Sequence, residues 1–145
     1  MKLNMRVQVN SNTREVRREA EGFAMDFADR IAQSAATLAR AKVAPGRGPG
    51  PHPHVSVHED TGDLMRDIAV DNKQFGFLST ATVYTTLDYG LYLEAGWHAK
   101  NGMFYRYPWL KPSMDIATQN AEAVAKTTSR RWFGDSAFSA GGTRF

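Results

Sequence analysis

The 145-residue chain contains no cysteine. That absence excludes disulfides, thiolate metal sites and a cysteine nucleophile together, and it fits cytoplasmic synthesis. No apolar run approaches the ~20 residues that span a bilayer, so no membrane partner is expected. The opening Met1-Lys2-Leu3-Asn4-Met5-Arg6 lacks the continuous apolar stretch of a signal peptide. A dense run of one charge sign is missing as well. The net charge of +3 and pI of about 9.3 are a mild basic bias, short of the Lys/Arg stripe of nucleic-acid binders. No Walker loop, dinucleotide fingerprint or serine nucleophile elbow occurs.

What remains is globular. Hydrophobic residues make up 42% and charged residues 23%, in a length that suits one domain with a core of its own. Residues 3 to 9 alternate, with Leu3, Met5, Val7 and Val9 on one side and Asn4, Arg6 and Gln8 on the other, which predicts a half-buried strand. Ser11-Asn12-Thr13 followed by Glu15 forms a helix-start signal. Val16, Ala20, Phe23, Phe27, Ile31, Ala35, Leu38 and Ala39 then recur at threes and fours. This pattern predicts a long amphipathic helix ending near Lys42, before Pro45.

Residues 44 to 60 carry Gly46-Arg47-Gly48-Pro49-Gly50-Pro51-His52-Pro53-His54, which is incompatible with regular structure and predicts a long exposed loop. Beyond it, Leu64 to Val70 reads as a strand, Asp71-Asn72-Lys73 as a turn, and Phe75 to Thr86 as a second strand. Asp88 to Gly96 suits a short helix or bend with Tyr89, Tyr92 and Leu93 inward. Phe104, Tyr105 and Tyr107 suggest a short strand. Pro108 and Pro112 precede a second helix through Met114, Ile116, Ala117, Ala121, Val124 and Ala125. The expected fold class is α+β: a long N-terminal helix and a C-terminal helix packed on a small antiparallel sheet. Residues 1–131 form the domain, with the 44–60 loop inserted, and residues 132–145 a tail ordered by partner contacts.

Little in this chain points to chemistry. His52, His54 and His58, with Glu59 and Asp60, are the only candidate metal ligands that cluster. Their spacing matches no standard zinc signature and their Pro/Gly setting does not pre-organise them, so no metal or other cofactor is expected. Glu94 lies among Tyr89, Tyr92 and Trp97, a setting for acid catalysis or for a buried hydrogen-bond acceptor. Without a partner carboxylate, the acceptor role is preferred. Arg130-Arg131-Trp132-Phe133, and Arg106 between Tyr105 and Tyr107, mix cations with aromatics. Such sets stack on bases or anchor protein interfaces, and the low net charge favours the interface.

Three segments, taken in order, resemble one family: the neck, or tail-completion-like, proteins of long-tailed bacteriophages. Asp60-Thr61-Gly62-Asp63-Leu64, following a helix that ends in Ala44-Pro45, is similar to the family's Asp-Thr-Gly-x-Leu. Tyr89-Gly90-Leu91-Tyr92-Leu93-Glu94-Ala95-Gly96 resembles its Tyr-x-x-Tyr-x-Glu-x-Gly. Pro108-Trp109-Leu110-Lys111-Pro112-Ser113 resembles its Pro-Phe-Leu-x-Pro-Ala. The likeness covers residues 13 to 127. Two departures stand out: the fourteen residues Gly46 to Glu59 where relatives have almost none, and Asp67 where serine is frequent.

The resemblance implies a structural, non-enzymatic virion protein. Its place would be a ring, on the order of six or twelve copies, joining the DNA-filled head to the tail. The chain would be made in the host bacterial cytoplasm. Partners would be the head-closure or connector ring and the tail terminator or tail tube, with non-specific contact to genomic DNA in the channel. Interface candidates are Arg47, His52, His54, Trp97, Phe104, Tyr105, Arg130, Arg131, Trp132, Phe133 and Phe145. Thr61, Gly62, Leu64, Tyr89, Tyr92, Glu94, Gly96, Pro108, Leu110 and Pro112 carry the motifs. The competing readings are a tail terminator or minor tail protein, a nucleic-acid-binding module, and a metal enzyme on the histidine loop.

Overall fold

A computed structural model describes residues 1–8, 14–44, 62–76 and 78–134. The alternation at the N-terminus forms β1 (Lys2–Gln8), and the long amphipathic pattern forms α1 (Arg14–Lys42). A short helix α2 (Asp63–Asp67) leads into β2 (Ala69–Phe75), which turns back as β3 (Leu78–Tyr84). Next come α3 (Asp88–Ala95) and a small hairpin, β4 (Trp97–His98) and β5 (Phe104–Tyr105). Two helices close the described chain, α4 (Leu110–Gln119) and α5 (Ala121–Phe133).

The main sheet is antiparallel in the order β1-β3-β2, so β3 is central and the other two are edges. α1 crosses one face of this sheet, and α4 and α5 pack against α1 in turn. The fold is therefore α+β, with a long N-terminal helix and C-terminal helices on small antiparallel sheets.

The buried face of α1 is mostly alanine. Ala20, Ala24, Ala28, Ala32, Ala35, Ala36 and Ala39 are buried along with Ile31. Small side chains bring the helix backbone close to its neighbours, and the larger partners come from elsewhere: Ile68, Val83, Leu93, Trp109 and Leu110. Val16, one of the residues that set the expected helical period, is exposed.

Several expectations change. Leu64 to Asp67 is helical, not extended. Gly62 holds the left-handed conformation (φ 66°), the chain turns into a helix after it, and Leu64 and Ile68, four apart, are both buried. Asp71-Asn72-Lys73 lies inside β2 and is not a turn. β2 is an edge strand, where polar side chains meet water at little cost. The real turn follows Phe75, with Gly76 at φ 58°, which moves Phe75 from the second strand of the hairpin into the first.

Tyr92 is 60% exposed and not inward, because the α3 face that turns inward carries Gly90, Leu93 and Glu94. The closing helix is two helices, broken at Asn120. Pro112 lies within the first turn of α4 and not before it, a position where no intrahelical N–H is needed. Trp132 and Phe133, read as the start of the tail, belong to α5. The loop expected over 44–60 falls, from residue 45 on, outside the described residues, as do the Ser11-Asn12-Thr13 signal and the chain after residue 134.

Candidate interface and the junction that positions it

Glu94 explains how the last three elements are tied together. Its side chain is buried at the end of α3, and its carboxylate accepts three backbone N–H groups. Oε2 receives Trp109 and Leu110 at 2.7 and 2.8 Å, and Oε1 receives Lys111 at 2.9 Å. These amides open α4 and have no partner within the helix, so a negative group there satisfies donors and complements the helix dipole. Both oxygens thus act as hydrogen-bond acceptors in a buried corner.

Residues in and beside the other motif segments meet at the same place. Trp109, fully buried, donates its indole N–H to the Gly90 carbonyl at 2.8 Å. A side chain on Gly90 would meet Thr85, Leu64 and Trp109 within 3.3 Å, so that glycine lets the segments touch. Tyr107 donates its amide to the Leu93 carbonyl and its hydroxyl to the Lys42 carbonyl, and Arg106 donates to the Glu94 carbonyl. Asp67 accepts from the Thr85 and Thr86 hydroxyls and the Thr86 amide. Those hydrogen bonds, Thr85 foremost, hold its carboxyl below the ordinary value of 3.8. Burial pushes the Tyr89 hydroxyl up, against a hydrogen bond from the Leu64 backbone. Gly62–Leu64, Tyr89–Gly96 and Pro108–Ser113, distant in sequence, thus form one junction.

The junction presents a face rich in aromatic and apolar groups. Tyr89, Tyr92, Leu93 and Trp97 line an open pocket of about 390 Å³. Beyond it the β4–β5 hairpin stacks Trp97 on Tyr105 (5.8 Å between ring centres) and sets His98 beside Phe104 (5.1 Å). Gly96, at φ 94°, is covered by the Phe104 ring. Leu91, Tyr92, Met103 and Phe104 are each about half exposed. Exposed apolar groups gathered in this way mark an interaction surface. Three of the interface candidates, Trp97, Phe104 and Tyr105, are here brought together.

The arginine–aromatic quartet lies elsewhere, where α5 crosses α1. Trp132 covers Gly22 and donates to Asp26 at 3.0 Å, Arg131 lies 3.5 Å from the same carboxylate, and the Phe133 ring is 5.6 Å from Phe23. Much of what the quartet offered a partner is spent inside the chain. Burial works against the Asp26 charge, but Trp132, Arg30 and Arg131 together outweigh it and lower its pKa.

Compared with models of known protein families, with curated proteins and with solved structures, the chain matches none. The site is therefore judged on its geometry alone. Among the described residues no three His, Asp or Glu side chains gather as a metal site, and no helix is long and apolar enough to cross a membrane. Arg47, His52, His54, His58, Thr61 and Phe145 lie outside the described residues. Sequence reasoning undervalued Trp109, Gly90 and Asp67. The available signal was a tryptophan between two prolines and a glycine one residue after a motif tyrosine.

Proposed function

We propose that this chain is a structural subunit of the neck of a long-tailed phage, one copy in a ring that joins head to tail, and that it performs no chemistry. The observation that carries the reading is the junction. The segments that resemble the neck-protein family are the ones that interlock: Glu94 caps α4, and Trp109 and Leu64 meet at Gly90, a position the family motif leaves open. A resemblance of three short motifs gains weight when the motifs serve one physical purpose. The rigid body they build presents the Tyr92, Trp97 and Phe104 face to a neighbouring subunit or ring.

The test is to delete the gene from the phage that carries it and to image the lysate by electron microscopy. Filled heads beside unattached tails support the neck role, and normal infectious virions refute it. Complementation with Trp97→Ala/Phe104→Ala then asks about the surface. Under this reading the double variant folds but yields few joined particles.

A further inference from the structure

The outer edge of β2 carries charges of both signs, Asp71 and Lys73, on an exposed strand. Among the described residues no strand pairs with that edge. Ala69, Asp71, Lys73 and Phe75 face Tyr84, Thr82, Thr80 and Leu78 across a hairpin whose innermost pair is Phe75 and Leu78. A two-residue connection makes the closing pair, Phe75 and Leu78, exchange both backbone hydrogen bonds. The alternation of antiparallel ladders then assigns the same role to every second pair. The amides and carbonyls of Val70, Asn72 and Gln74 consequently point outward from the sheet. The strand has no proline and no bulge, since its seven residues pair in unbroken register, and the two charges it carries, Asp71 and Lys73, are of opposite sign and so favour a complementary edge. α1 does not hide it, because that helix lies chiefly over β3.

We propose that β2 pairs with β2 of a second copy, antiparallel, about a two-fold axis through Asn72. Each outward residue then finds an outward counterpart: Asn72 with Asn72, and Val70 with Gln74. Between them lie the closer, non-hydrogen-bonded pairs, Asp71 opposite Lys73 and Lys73 opposite Asp71. In the single chain these two side chains bridge each other, exposed and 3.4 Å apart. At the ends Phe75, 66% exposed, meets Ala69, a large side chain against a small one. The Asn72 and Gln74 side chains reach toward α1, to Asp29 and the Glu21 carbonyl, and leave the edge clear. β1 is the poorer candidate for self-pairing, since the charges it carries, Lys2 and Arg6, have one sign. The result is an isologous dimer with a six-stranded sheet. It does not depend on the neck reading, because it concerns the free chain.

The absence of cysteine makes the test clean. D71C and K73C are prepared separately, and the two are oxidised alone and as a mixture. In the antiparallel arrangement only the mixture places two thiols opposite each other, within disulfide reach, while keeping one Asp71–Lys73 pair intact. The expected result is a band at twice the 16.1 kDa chain mass, far stronger in the mixture than in either variant alone. The contact lies at the small end of specific interfaces, so sedimentation is run up to millimolar protein. There, K73E should weaken dimerisation about tenfold and D71K/K73E should restore it, with unchanged circular dichroism in both. A wild-type chain that stays monomeric, equal cross-linking in single variants and mixture, or no recovery in the swapped variant would each overturn the proposal.

Discussion

Two carboxylates hold the C-terminal helices to the rest of the molecule, and they do so by opposite means. Glu94 is 5% exposed and accepts three backbone amides at the start of α4. Asp26 also gathers three donors, but they are the side chains of Arg30, Arg131 and Trp132, and its own side chain is 18% exposed. Backbone donors held in a buried corner have nowhere else to go. Side-chain donors near water re-pair with solvent when their acceptor is lost. The junction at Glu94 should therefore be rigid and the α1–α5 crossing tolerant.

The largest effect is expected at Glu94. Glu94→Ala strands three amides, two of them in a buried corner, at about 3–5 kcal/mol, a large share of the ~5–15 kcal/mol stability of an ordinary domain. Urea titration followed by circular dichroism measures the loss. Glu94→Gln sharpens the point, since its amide NH2 must face an N–H donor, and about half the loss should remain. A cost below ~1 kcal/mol for Glu94→Ala would erase the contrast with Asp26.

Gly96 comes next. At φ 94° any side chain is strained, and a methyl group there would lie 2.1 Å from the Phe104 ring. Gly96→Ala should cost about 1–3 kcal/mol. Adding Phe104→Ala removes the collision but not the backbone strain. The double variant should recover only part of the loss in the same titration, and full recovery would mean that the φ angle contributes nothing.

How much of this was legible before the fold was seen depended on whether the signal was local. β1 and α1 follow from periodicity, because alternation and a 3.6-residue repeat are properties of contiguous residues. The β2–β3 hairpin was misplaced because β-branched residues mark strands, whereas an edge strand such as Asp71-Asn72-Lys73 has no buried outer neighbour to require them. The α4–α5 break at Asn120 has no proline or glycine to announce it. At the candidate site, Glu94 was legible as an acceptor, but its donors were not, being main-chain amides fifteen to seventeen residues away. The packing of Trp132 over Gly22 has no local signal, because the glycine that leaves room for its ring lies more than a hundred residues earlier.

Acid should separate two partly buried carboxylates, Asp67 and Asp26, from the rest of the fold. Asp67 and Asp26 both have folded pKa values below the ordinary 3.8, so the unfolded chain binds more protons than the folded one as pH falls toward and below that value. Their contribution is complete above about pH 5 and is lost as pH drops through the folded values. Asp67→Asn should therefore flatten the acid limb of stability against pH, measured by urea titration between about pH 2 and 6, and lower stability modestly at pH 7. An acid limb unchanged in Asp67→Asn would mean that the Thr85 and Thr86 hydrogen bonds do not favour the charged form.

The smallest effect is expected at Asp26 near neutrality. Asp26→Ala removes an (i, i+4) pair with Arg30, a long contact to Arg131 and the hydrogen bond from Trp132. Each donor keeps access to water: the Arg30 and Arg131 side chains are 35% and 66% exposed, and Trp132 is 38% exposed. The loss should be about 1 kcal/mol or less, and smaller again in high salt, where screening weakens the two ion pairs but not the indole bond. What survives at high salt is therefore the share of Trp132. If Asp26→Ala matched Glu94→Ala, the α1–α5 crossing would be as tightly determined as the junction. Trp132 would then have to be counted with Trp109 among the residues that decide the fold.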